Sequence, residues 1–202
     1  MPDYSYELKA KEKGYNVVCG VDEAGRGPLA GPVCAAAVIL PEGLIIEGLD
    51  DSKKLTGKKR EKLFDVIIQN AVSYSVAFGT VEEIEQYNIL NATFIAMNKA
   101  IEGLNKRPDY ALIDGNRVPK GITIDCETVV KGDSKSMSVA AASVLAKVTR
   151  DRLLLRYAEM YPQYGFEKHK GYGTAAHYEA VKKYGLCPVH RLSFFKKYFG
   201  GK

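Results

Sequence analysis

Apolar residues fall in short unbroken blocks near the start of the chain and change to three- and four-residue spacing further on. Val17 to Val21 and Val33 to Leu40 are blocks of strand length joined by a tight Gly-Pro loop, which predicts two successive antiparallel strands. Thr56 can cap a helix that carries Leu63, Phe64, Ile67 and Ile68 on one face, and Ala71 to Phe78 then alternates like an edge or half-buried strand. Thr80 and Glu83 stand at capping-box spacing for a short helix. A longer helix follows, marked by Leu90, Phe94, Met97, Ile101 and Leu104. Tyr110 to Ile113 and Ile122 to Val130 predict two more strands. From Met137 the chain is alanine-rich, and Met137, Ala141, Val144, Leu145 and Val148 make a stripe suited to close packing on a sheet. Beyond Tyr161 loops alternate with one helix around Ala175 to Tyr184. Helices and strands interleave from end to end, which predicts an α/β protein with a mixed sheet of about five strands flanked by helices.

Composition narrows the setting without changing that picture. The 202 residues contain no linker-like stretch, so the expectation is one domain over 1–202, with a core over about 15–160 and a helical C-terminal part over about 161–202. The longest apolar run, Val33 to Leu40, meets Pro41 and Glu42 and is too short for a membrane span. Met1 to Lys13 is polar and charged with no signal-peptide pattern, which points to the cytoplasm. Cys19, Cys34, Cys126 and Cys187 show no close pairing and read as free thiols, the first three in buried strand-like runs. His169, His177 and His190 lack ligand spacing and read as surface or hydrogen-bonding groups. The net charge of +5 leans toward a polyanionic partner.

Candidate chemistry gathers where apolar runs end. Asp22 and Glu23 close the first strand, Asp114 follows Tyr110 to Ile113, and Asp133 follows Val129 and Val130 at the approach to the alanine-rich helix. If those strands lie side by side, the four carboxylates converge. Two like charges about 4 Å apart repel by roughly 4 kcal/mol at an effective dielectric near 20, a cost that a divalent cation removes. An all-oxygen set favours magnesium or manganese over zinc. Successive strand residues face opposite ways, so a bulge or the start of the loop is expected to let Asp22 and Glu23 cooperate.

Basic and glycine-rich segments surround these stations. Gly25-Arg26-Gly27 has the small, charged character of a phosphate-contacting loop, yet it lacks the Gly-Lys-Ser/Thr ending of a nucleotide-triphosphatase loop and leads into a strand. Lys53 and Lys54 lie on a loop, Lys58, Lys59 and Arg60 on a helix start. Lys147, Arg150 and Arg152 are placed on the exposed side of the alanine-rich helix, where phosphate contact and simple solvation both remain open. Tyr172, between Gly171 and Gly173 in a basic loop, suits contact with a sugar or base.

Val21 to Gly27, Asp51 to Leu55, Asp114-Gly115-Asn116, Lys131-Gly132-Asp133 and His169 to Tyr172 together resemble the signature of the ribonuclease HII family, in order, across Cys19 to Phe194. The resemblance implies a ribonuclease H-like fold with a five-stranded mixed sheet and a helical C-terminal part shaping the substrate groove. It implies an endoribonuclease acting on the RNA strand of RNA/DNA hybrids and on the 5′ side of single ribonucleotides embedded in duplex DNA. The products would carry 3′-hydroxyl and 5′-phosphate ends, in the service of ribonucleotide excision and RNA-primer removal. By the same resemblance Asp22, Glu23, Asp114 and Asp133 hold two Mg2+ or Mn2+ ions roughly 4 Å apart. Gly25, Arg26, Gly27 and Tyr172 sense the ribonucleotide and its junction, and Lys53, Lys54 and Lys147 are candidates for phosphate contact. Phe199 to Lys202 contains no recognisable sliding-clamp peptide, so a monomer without an obligatory protein partner is expected.

Overall fold

Residues 1–196 are described by the computed structural model, and Phe199 to Lys202, the stretch expected to hold no clamp-binding peptide, lie outside them. Strand β1 (Val18–Ala24) pairs antiparallel with β2 (Val33–Ile39), which pairs antiparallel with β3 (Ser73–Gly79). On its other side β1 runs parallel to β4 (Tyr110–Asp114), and β4 parallel to β5 (Asp125–Val129), giving the order β3-β2-β1-β4-β5. The five expected strands are present, although β5 is shorter than the apolar run from Ile122 to Val130.

Small residues explain how tightly the layers close. Every residue of β2 is buried, and its alanines lie between helices on both faces. One face packs Cys34, Ala36 and Val38 against Leu63 and Ile67 of α2 (Gly57–Asn70) and Ala141, Val144 and Leu145 of α4 (Met137–Met160). At Gly20 the start of α4 lies so close that an added Cβ would collide with the backbone of Ser138 and Val139. The other face packs Cys19, Val21, Ala35 and Ile113 against Phe94, Met97 and Ile101 of α3 (Val81–Glu102). The capping box at Thr80 and Glu83 starts α3, and Asn88, at φ 68° and ψ 166°, breaks it. Asn88 Oδ1 accepts from the Leu90 and Asn91 amides and so caps the second segment, which reproduces the expected short helix followed by a longer one.

Helix α1 (Ser5–Glu12) was not anticipated, because it buries only Glu7 and Ala10 and so has no apolar stripe to reveal it. After α4 the chain forms α5 (Phe166–His169) and α6 (Ala175–Tyr184), whose Phe166 and Val181 share a cluster with Leu154, Tyr164 and Phe195. Leu29 and Ala30 join that cluster, which fastens the C-terminal part to the loop after β1. All four cysteines are free, but Cys126 is half-buried rather than buried. No helix among the described residues is long and apolar enough to cross a membrane.

Candidate active site

The parallel alignment of β1, β4 and β5 brings their C-terminal ends to one edge. Val21 is opposite Ile113, so Asp22 and Asp114 stand on adjacent strands, and Asp114 is opposite Val129, four residues before Asp133. A short 3-10 turn over Gly132–Ser134 carries Asp133, and the Gly132 amide donates to Asp114 Oδ1 at 2.7 Å. The expected bulge is absent: pairing of β1 with β2 continues without interruption from Gly20 to Ala24. Asp22 therefore shares the α4 face with Gly20, and Glu23 shares the α3 face with Val21. The acids straddle the sheet edge instead of crowding one face.

Their electrostatics record burial first and mutual repulsion second. Burial, reinforced by Glu23 and Asp114, holds the Asp22 carboxyl well above the usual range. Burial also raises Glu23, partly offset by Arg26, whose Nη1 lies 3.4 Å from Glu23 Oε1. Burial and then Asp114 push Asp133 to about 6, with Lys53 Nζ 3.8 Å from its Oδ2 as a partial counter-charge. Burial opposes the charge on Lys53, but Asp22, Asp133, Asp51 and Asp114 outweigh it and raise its pKa. Among the described residues no three carboxylate, imidazole or thiol groups already form a closed metal cage. The donor set nevertheless suits a hard divalent ion, being all oxygen, strongly negative and only partly neutralised by two exposed cations, Arg26 and Lys53.

One cleft of about 530 Å³ is lined by Asp22, Glu23, Gly25, Arg26, Gly27, Lys53, Lys147 and Tyr172. Glu23 and Arg26 also border an adjoining cleft that contains Asp114 and Arg117. Tyr172 is 46% exposed, and its Cε1 lies 3.6 Å from where a Cβ on Gly27 would stand, so ring and loop face each other across the cleft. Lys54 does not line the cleft; its Nζ is held 3.1 Å from Asp50 Oδ1. Lys147 lines it but is tied at 2.7 Å to Asp151, and burial lowers its pKa.

Arg150 and Arg191 support this site, a role that the linear chain does not announce. Arg150, expected on an exposed helix face, is 1% exposed and donates to the carbonyls of Pro32, Ala30 and Lys170. Arg191, fully buried, donates to the carbonyls of Gly25, Arg26, Pro28 and Gly31. Together they bind the loop after β1 to the segment that carries Tyr172. Their only linear signals are an arginine amid apolar helix positions and a His-Arg pair in a loop, neither of which reveals a carbonyl-lined pocket. His177 and His190 are buried rather than on the surface, and hydrogen-bonded as the alternative reading required.

Solved structures share this fold. The ribonuclease H2 of Pyrococcus horikoshii OT3 superposes with a TM-score of 0.72 at 28% identity, covering 93% of this chain and all of that one. The ribonuclease HII of Archaeoglobus fulgidus, solved as a complex with PCNA, gives 0.69 at 24% identity over 88% of this chain and 94% of its own. Bst-RNase HIII, solved with Mn2+, gives 0.66 at 17% over 84% and 63%. These neighbours place the chain in the ribonuclease H-like fold class. The sequence model described as Ribonuclease HII matches residues 19–197. The ribonuclease HII of Clostridioides difficile is 54% identical over 191 residues, 95% of this chain and 74% of the relative. That of Caldicellulosiruptor bescii is 54% identical over 193 residues, 96% and 93%. The chain belongs to the ribonuclease HII family and is a ribonuclease H enzyme, of the type that cleaves RNA paired with DNA.

Proposed function

We propose that this chain cuts the RNA strand of RNA/DNA hybrids and also cuts on the 5′ side of a single ribonucleotide embedded in duplex DNA, leaving 3′-hydroxyl and 5′-phosphate ends. The observation that carries the reading is the shared cleft: Asp22 and Glu23 open onto the same space as Gly25 to Gly27 and the exposed ring of Tyr172. Cleavage and inspection of the sugar can therefore act on one nucleotide. Asp22, Glu23, Asp114 and Asp133 are the residues that would hold Mg2+ or Mn2+. When bound, divalent ions supply an activated water and neutralise charge on the phosphate and the leaving oxygen.

The remaining roles belong to side chains and backbone of this chain. Gly27, exposed beside the cleft, offers backbone groups to a 2′-hydroxyl, the one group that separates RNA from DNA at a given position, while Gly25, its carbonyl held by Arg191, contributes through its amide and the turn of the loop. Tyr172 packs against the ribose and holds it over the loop. Lys53, exposed and resting near Asp133, turns to a phosphate once the acids are otherwise neutralised. The reading extends to a monomer acting in the cytoplasm in the removal of misincorporated ribonucleotides and primers.

The test uses end-labelled DNA duplex containing one ribonucleotide, with Mg2+ or Mn2+ added to metal-stripped enzyme. Metal-dependent cutting on its 5′ side with a 3′-hydroxyl product is expected. Asp133→Asn should lose at least about a hundredfold in rate while fluorescence anisotropy shows duplex binding retained. An all-RNA-strand requirement, with the single-ribonucleotide duplex left intact, would sink the claim.

A further inference from the structure

Behind Tyr172 lie two buried imidazoles with no part in the chemistry described above. His177 Nδ1 is 2.9 Å from the Tyr172 carbonyl oxygen, which can only accept, so Nδ1 carries the proton. Burial, followed by the effect of neighbouring histidines on His190, lowers both pKa values, His190 to about 4, so both rings are neutral near pH 7. A neutral His177 protonated at Nδ1 has a bare Nε2, and that atom is 3.0 Å from His190 Nε2. His190 must then donate from Nε2, leaving its own Nδ1 bare.

The other end of the chain of bonds demands the same assignment independently. The Cys187 backbone N–H donates to His190 Nδ1 at 2.9 Å, which requires a bare Nδ1. The Cys187 carbonyl, 3.3 Å from that nitrogen, already accepts from the His190 amide at 3.0 Å, and the Cys187 thiol at 3.0 Å can donate to it. Three consecutive bonds thus point one way, from Cys187 N–H through His190 and His177 to the carbonyl of Tyr172. The Tyr172 oxygen also accepts from the Thr174 amide, and the Tyr172 amide donates to His169 O, so the backbone on either side of the ring is tied down.

We propose that His177 and His190 form a proton-ordered support that fixes Tyr172 over the cleft, acting as positioning residues for cleavage at an embedded ribonucleotide. The inference rests on the reading that Tyr172 packs against the ribose. Ring packing makes the support rigid, since Tyr164, Phe166 and Phe195 contact His190, and His169 stacks on His177 at 4.5 Å, leaving the imidazoles little room to rotate.

Two measurements test this on the full chain. Long-range 1H–15N spectra of labelled wild-type protein at pH 7 should show His177 as the Nδ1–H tautomer and His190 as the Nε2–H tautomer; any other pattern overturns the support. For function, His177→Phe removes the donor, and His177→Asn places an amide nitrogen where Nδ1 stood. Replacing the donor should lower kcat on the single-ribonucleotide duplex roughly ten- to a hundredfold with KM nearly unchanged, and the Asn variant should recover most of it. In a Tyr172→Ala background the same His177→Phe change should have no further effect, whereas an additive loss overturns positioning through Tyr172. Unchanged cleavage by Tyr172→Ala alone would instead defeat the role given to that tyrosine, while the spectra still decide the bonded chain. If His177→Phe fails to fold, the wild-type spectra and the Asn variant carry the test.

Discussion

Arg191→Lys isolates what a buried guanidinium does for the loop that follows β1. Arg191 makes four hydrogen bonds, at 2.6 Å to Gly25 O, 3.0 Å to Arg26 O, 2.7 Å to Pro28 O and 2.8 Å to Gly31 O. Burial, with Arg150 nearby, lowers its pKa to about 9, which leaves it charged at neutral pH. Lysine keeps the charge but offers donors from a single point, so it cannot span carbonyls that the planar fork reaches from three nitrogens. Gly25, Pro28 and Gly31 are buried, and stranding two of their carbonyls at roughly 1–2 kcal/mol each predicts a loss of about 3 kcal/mol. With a urea m-value on the order of 2–3 kcal/mol/M, the midpoint should fall by about 1 M. Equilibrium urea unfolding measures this directly, with Arg26→Lys as the control because that side chain is 51% exposed and should shift the midpoint very little. The loop amides of Arg191→Lys should also exchange faster with deuterium. A midpoint equal to that of the control would refute the idea that the carbonyl cage, and not charge alone, holds the loop.

Other consequences follow from the same contacts. Asp133 has its pKa raised from 3.8 to about 6, so the folded state holds that proton more tightly and stability is lost as pH rises through this window. Discounted for solvent screening, the effect is about 1 kcal/mol. Asp133→Asn should therefore melt higher than wild type at pH 7 in EDTA, with the advantage vanishing near pH 4, and added Mg2+ should narrow the gap by stabilising wild type. Gly27→Ala should fold normally, since its Cβ meets Tyr172 at an ordinary 3.6 Å, and reveal any cost in cleavage rate alone. Gly25→Ala, with φ at +98° and its Cβ driven into the Arg150 guanidinium, should lose about 2 kcal/mol or more in the same urea assay. Binding measured against salt should separate the lysines: Lys53→Met lowers the slope of log K against log[salt] by about 1, and Lys147→Met by much less because Asp151 already neutralises it.

The element types, the strand ends bearing Asp22, Glu23, Asp114 and Asp133, and the motif order through Tyr172 were legible in the linear chain. Hydrophobic period and turn chemistry are local properties, and acids at the ends of apolar runs sit at fixed places relative to those runs. Neighbouring residues could not reveal that β1, β4 and β5 align in parallel, which turns three separated acidic stations into one edge. Nor could they tell that Lys147 would be spent on Asp151, or that Arg150 and Arg191 would turn inward. An arginine reads as a surface charge until the fold surrounds it with backbone carbonyls, and a histidine has no defined tautomer until its neighbours supply a donor on one side and an acceptor on the other. Local sequence determined which groups this protein has for chemistry. Tertiary structure decided which of them meet and which hold the others in place, because burial and hydrogen-bond direction are set by segments far apart in the chain.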